Sequence, residues 1–178
     1  HIAKLLLDAG HNVRASARSE AKGAALRETL AAAGADTSRL THVTLDLASD
    51  TGWSMAAEGI DTLMHTASPF PLEQPDDAMD LIRPAVDGTL RALKAAKEAG
   101  VTRVVLTSSV ASVMYGDQPQ GHLYTAADWT DGDDASLTPY IRSKALAEKA
   151  AWAFIAAEAP DMRLTTINPG FVLGAPLG

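Results

Sequence analysis

Tyr140 and Lys144 stand four residues apart in the stretch Thr138-Pro139-Tyr140-Ile141-Arg142-Ser143-Lys144. On a helix, positions i and i+4 share a face about one turn apart. Thr138 can cap such a helix and Pro139 suits its first position, so Tyr140 falls in the first turn, at the positive end of the dipole. A cation one turn away and a helix amino terminus both favour a phenolate. A tyrosine so placed can exchange a proton with a carbonyl or an alcohol near neutral pH. With three tyrosines in 178 residues, the spacing alone also fits an ordinary surface pair, so context has to decide. Upstream, Val104-Val105-Leu106-Thr107-Ser108-Ser109 reads as a hydrophobic strand ending in hydroxyls. Ligands of open α/β sheets bind beyond the carboxyl ends of strands, where Ser109 could hold a carbonyl oxygen. A serine after a strand is equally a common loop residue.

Other chemistries find little footing. Cysteine is absent, which removes disulfides, thiolate metal sites and cysteine nucleophiles together. His1, His11, His42, His65 and His122 show no metal-ligand spacing, and His65 reads as a structural residue after a buried strand. Asp131, Asp133 and Asp134 lack the remaining ligands of a calcium loop and read as a solvated acidic loop. The expectation is no metal. The net charge of −7 and scattered cations argue against nucleic acid. No apolar run approaches the roughly 20 residues of a membrane span, and the amino terminus has no signal-peptide pattern. A cysteine-free chain is compatible with a reducing cytosol, so a cytoplasmic location is expected.

The elements around these residues alternate in type. A helix over 1–9 stops at Gly10, and a strand runs over 12–18. A helix over 20–33 takes Ser19 as its cap and ends at Gly34. A strand over 40–47, a short helix over 53–58 and a strand over 61–66 follow. The stretch 68–77, with three prolines, is a turn region. Helices are expected over 78–99, kinked near Pro84, and over 139–158, with strands over 103–107 and 163–168. A polar loop covers 115–137. Such alternation gives an α/β fold with a doubly wound parallel sheet, Rossmann-like. It is expected to be incomplete at both ends, because such folds open on a central strand and a glycine-rich turn, and neither precedes the first helix. The whole of 1–178 is expected to be a partial dinucleotide-binding domain, with the substrate-binding lobe largely absent. A fragment lacking a central strand exposes sheet edges and is expected to fold poorly by itself.

Six stretches in order resemble the extended short-chain dehydrogenases/reductases, in the subgroup of dihydroflavonol reductases and aldehyde, ketone and methylglyoxal reductases. They are Ser16-Ala17-Arg18-Ser19, His65-Thr66-Ala67-Ser68-Pro69-Phe70, Arg103 to Ser109, Tyr140 to Lys144, Ala147-Glu148-Lys149-Ala150-Ala151-Trp152, and Asn168-Pro169-Gly170-Phe171-Val172. The resemblance implies reduction of an aldehyde or ketone by NADPH. Tyr140 would donate the proton, Lys144 would ease its release and bind the nicotinamide ribose, and Ser109 would orient the carbonyl.

NAD binders of this fold place an acid on the second strand, and NADP binders an arginine. Residues 12–18 contain no acid and end in Arg18. Arg18 is therefore expected to hold the 2′-phosphate of NADPH or NADP+, with NADH the less favoured cofactor, and the resemblance implies Lys22, one turn into the next helix, as a second phosphate contact. The resemblance also implies Asp46 and Leu47 at the adenine, with Thr66, Ala67 and Ser68 beneath the phosphates and ribose. Pro169 and Val172 would lie beside the nicotinamide, and Phe70 and Met114 in an apolar substrate pocket. Asp46 could equally be a strand-end turn residue. Flavonoid reductases often carry an asparagine where this chain has Met114, which argues against a flavonoid substrate. The expected partner is a small carbonyl compound, and monomer and homodimer are not told apart. Two alternatives share these features: a sugar-nucleotide epimerase or dehydratase, and a non-catalytic dinucleotide sensor. Arg18 and the Thr-Ala-Ser-Pro-Phe run favour the reductase.

Overall fold

The computed structural model describes residues 1–70, 73 and 75–177. The turn region expected over 68–77 therefore includes residues 71, 72 and 74, which lie outside the described residues. Every strand pairing is parallel. Strand β1 (Val13–Ala17) pairs with β2 (Leu40–Thr44), Val13 opposite Leu40. A second sheet has the order β3-β4-β5, from Thr62–His65, Arg103–Thr107 and Arg163–Ile167, with Thr62, Arg103 and Arg163 in register. Parallel neighbours need crossover connections. These come from α2 (Glu20–Ala32) between β1 and β2, α4 (Met79–Glu98) between β3 and β4, and α5 (Pro139–Glu158) between β4 and β5; α1 (Ile2–Asp8) precedes β1 and α3 (Trp53–Ala57) follows β2.

The chain forms two compact units. In the first, His1–Ala56 with the residues from Leu173 onward, Leu7, Leu30, Ala35 and Leu40 form the core, flanked by Val13, Ala15 and Leu26. In the second, Ala57–Val172, the core gathers Leu93 and Ala96 of α4, Val104 and Leu106 of β4, Ala151 and Phe154 of α5, and Leu164 of β5. Burying each large side chain contributes roughly 1.5–3 kcal/mol. Helix α4 buries Leu81, Ala85, Gly88, Ala92 and Ala96, a stripe at helical spacing that continues past Pro84. Small residues on this stripe, and Ala145, Ala147 and Ala151 on α5, let the two long helices pack closely.

Local signals set most element ends. The Ser19 hydroxyl accepts from Lys22 N–H at 3.3 Å and caps α2. Thr138 does the same for α5 by accepting from Ile141 N–H, and Pro139 occupies the first turn. Helix α4 closes where Gly100 takes φ +75°, a conformation that favours glycine. Val101 N–H then returns to Ala96 O at 2.9 Å. Two 3₁₀ turns, Thr37–Arg39 and Val110–Ser112, were not expected. Each is nucleated by a side chain, Asp36 accepting from Ser38 N–H and Ser109 from Ala111 N–H. Strand β2 ends at Thr44 rather than at residue 47, because Asp46 Oδ1 accepts from Ala48 N–H at 2.9 Å and turns the chain. The loop 115–137 is tied down by fully buried Thr130. Its hydroxyl donates to Ala111 O at 2.7 Å and accepts from Tyr115 N–H at 3.0 Å.

Candidate active site

Helix α5 carries Tyr140 and Lys144. Tyr140 lies in its first turn, and the Lys144 ammonium sits 5.8 Å from the centre of the phenol ring. Phe70 meets the same ring edge-on, with centroids 5.3 Å apart and planes at 82°. Lys144 is partly buried, and burial holds its amine below the ordinary lysine range. No described residue accepts a hydrogen bond from this ammonium. It borders a cavity of about 10 Å³ together with Ala67, Ser68, Thr107, Ser108 and Glu148, close to the space one water needs. His65, the last residue of β3, is 7% exposed, and its Nε2 has no partner among the described residues. Burial, and then the Lys144 charge, push its ring down to about 4, so it is neutral at pH 7.

Ser109 follows β4 and is buried. Its backbone is held on both sides, with Ser108 N–H donating to Ile167 O at 2.8 Å and Val110 N–H to Pro169 O at 3.0 Å. Its hydroxyl oxygen accepts from Ala111 N–H at 3.1 Å. A hydroxyl has one hydrogen to give, and among the described residues nothing accepts that of Ser109. The arrangement suits a group that must donate to an incoming oxygen.

The second unit thus brings Phe70, Tyr140 and Lys144 together, with Ala67 and Ser68 on the Lys144 cavity and Pro169 tied to the residue after Ser109. Phe70, Met114 and Val172 are exposed, as are Thr66 and Ala67, and the pocket expected around Phe70 and Met114 has no closed wall on them. In the first unit, Arg18 follows β1 and Lys22 lies in the first turn of α2, both exposed. Neither side chain has a hydrogen-bond or ion-pair partner among the described residues. Two cations at a helix amino terminus have the wrong sign for the dipole, and an anion would relieve both. Asp46 is exposed beyond β2, with Oδ1 on Ala48 N–H, and Leu47 follows it. Arg14, within β1, donates to the carbonyl of Ala56 at 3.0 Å. Each unit by itself has groups that suit part of a phosphorylated dinucleotide: the first, cations without a partner among the described residues, for a phosphate; the second, a half-buried ammonium without an acceptor among the described residues, for ribose hydroxyls.

Two polar residues, one buried and one half-buried, carried no expected role. Glu148 is 4% exposed and accepts from Ser108, Asn168 and Trp152. Asn168 bridges it to the Ser109 carbonyl. Glu148 stands four residues beyond Lys144, so its shared helix face is readable from spacing, but its burial is not. Among the described residues no helix is long and apolar enough to cross a membrane, and no group of three or more metal-ligating side chains gathers.

Parallel sheets with alternating helices define an α/β protein of Rossmann-like fold. Residues 1–176 match the NAD dependent epimerase/dehydratase family, and the chain belongs to that family. It is 36% identical to a ketoreductase of Aspergillus niger over 98% of its own length and 54% of the relative's. It is 36% identical to the dihydroflavonol 4-reductase of Zea mays over 95% of its own length and 48% of the relative's. The structure of yeast methylglyoxal/isovaleraldehyde reductase complexed with NADPH superposes with a TM-score of 0.85 at 31% identity, covering 98% of this chain and 55% of that one. The chain spans about half the length of the curated relatives it matches.

Proposed function

We propose that the protein carrying this chain reduces a small aldehyde or ketone to the alcohol with NADPH, and that Tyr140 is the proton donor. The observation that carries this reading is the half-buried Lys144 ammonium, without an acceptor among the described residues, one turn from Tyr140. NADPH, when bound, supplies a hydride to the carbonyl carbon. The Ser109 hydroxyl donates a hydrogen bond to the carbonyl oxygen and orients it. The Tyr140 hydroxyl gives its proton to that oxygen as negative charge develops there. The Lys144 ammonium stabilises the phenolate left behind and donates to ribose hydroxyls. Neutral His65 places no second positive charge beside Lys144. Pro169 and Val172 would hold the nicotinamide, Thr66, Ala67 and Ser68 the ribose and phosphates, and Phe70 and Met114 would receive the apolar part of the substrate. Arg18 and Lys22 would hold the 2′-phosphate, and Asp46 and Leu47 the adenine. Reductase relatives, one of them solved with NADPH, support the cofactor and the reaction class.

Tyr140→Phe in the full-length protein tests the reading. NADPH oxidation with a panel of aldehydes and ketones is expected to fall by roughly 10²–10⁴-fold, while NADPH binding followed by fluorescence stays within about threefold. Turnover equal to the parent's removes Tyr140 from the reaction.

A further inference from the structure

Glu148 is a buried carboxylate that the steps above do not use. It lies one turn beyond Lys144 on α5 and borders the same cavity. Its Oε2 accepts from Ser108 Oγ and, at 2.8 Å, from Asn168 Nδ2, and its Oε1 accepts from Trp152 Nε1 at 3.4 Å. The directions are forced. Ser108 has one hydroxyl hydrogen and gives it to Glu148, so in the 2.8 Å contact between Ser108 and Ser112 it is Ser112 that donates. Asn168 uses both amide hydrogens, one on Glu148 and one on the Ser109 carbonyl at 3.1 Å. Donors from beyond β4, from beyond β5 and from α5 itself therefore converge beside Ser109, outside the apolar core cluster of this unit.

We propose that Glu148 is a positioning residue: through Asn168 and Ser108 it holds the backbone of Ser109 where the Ser109 hydroxyl meets the substrate oxygen. The proposal rests on the reductase reading and on Ser109 as the orienting group. Small misplacements of such a group cost up to about 10²-fold in rate. Acceptance, rather than charge, does the holding. A glutamine can turn its oxygen to Ser108 and Asn168 and its NH₂ to Trp152, which is 38% exposed and can find water instead. A leucine leaves the Asn168 amide and the Ser108 hydroxyl without their acceptor.

The test compares Glu148→Gln, Glu148→Leu, Ser109→Ala and the Ser109→Ala/Glu148→Leu pair in the full-length protein. Glu148→Leu is expected to lower kcat roughly 30–100-fold with the NADPH dissociation constant within about threefold, and Glu148→Gln to restore kcat to within about threefold of the parent. In the Ser109→Ala background, Glu148→Leu is expected to lower kcat by less than about threefold more, because both act through one hydroxyl. Multiplying losses, weakened NADPH binding, or equal loss in the glutamine and leucine variants would overturn the proposal. If Glu148→Leu does not fold, Asn168→Ala replaces it, with an expected loss of about tenfold in kcat and the same lack of further effect without the Ser109 hydroxyl. A slowed Ser109→Ala beside an unaffected Glu148→Leu sinks the positioning role and leaves the reductase reading standing. An unchanged Ser109→Ala removes the Ser109 assignment, and the positioning role falls with it.

Discussion

His65 illustrates how burial acts on one ring. Its Nε2 is sealed from water without a partner among the described residues, and Lys144 adds positive charge nearby, so the folded ring is pushed down to about 4 against 6.5 for an open histidine. Unfolded chains take up this proton as pH falls through 6.5, and folded ones only near 4. The contribution of neutral His65 is therefore complete above pH 6.5 and is lost as the pH falls from 6.5 towards 4, by on the order of 3 kcal/mol. His65→Gln, which cannot titrate, is expected to flatten the fall in melting temperature across that window. A slope identical to the parent's would show that His65 does not carry it. The reactive residues differ in how legible they are. Tyr140 and Lys144 follow from helical spacing, a local property. The commitment of Glu148 to three donors depends on segments 20 and 40 residues away in sequence, and spacing is blind to that.

Helix α2 shows how an element is seated. Gly23 is buried, and a Cβ there would lie 2.2 Å from Cδ2 of His42 on β2. The His42 ring cannot swing aside cheaply, because Glu20 Oε2 holds its Nε2 at 2.8 Å while Glu20 Oε1 accepts from Thr44 at 2.9 Å. These hydrogen bonds hold the Glu20 carboxyl below the usual carboxylate range. They also occupy both oxygens of an acid that lies in the same helical turn as Lys22. Gly23→Ala is expected to destabilise by about 1–3 kcal/mol through overpacking, more than the roughly 1 kcal/mol of helix propensity it gains. In a His42→Ala background the sign should reverse, a gain of up to about 1 kcal/mol in denaturant titrations. A loss of equal size in both backgrounds would exclude the ring as its cause. Element order and type were readable because capping, glycine stops and apolar periodicity are local. The early end of β2 and the two 3₁₀ turns depend on where the Asp46, Asp36 and Ser109 side chains bond, and several geometries satisfy those residue types.

At the scale of the molecule, Arg18 and Lys22, assigned to the 2′-phosphate, and the residues assigned to the chemistry belong to different compact units. Binding and turnover should therefore separate by mutation. Arg18→Asp is expected to weaken NADPH by about 10–100-fold, the range of a charge-assisted phosphate contact. It should move NADH little and leave kcat at saturating NADPH within about twofold. Dissociation constants for the two cofactors check this, and an equal effect on both would remove the 2′-phosphate role.

The amino-acid sequence by itself determined the parallel α/β order, the capped helix that presents Tyr140 and Lys144, and the cation after β1. Each is a matter of local chain geometry or of composition at one strand end. Only the tertiary structure decided that Lys144 is half-buried without an acceptor among the described residues, that His65 is neutral, and that Asn168 bridges Glu148 to the Ser109 carbonyl. Those properties arise from desolvation and from hydrogen bonds between segments far apart in the chain. Neither exists until the helices and strands of the second unit have packed.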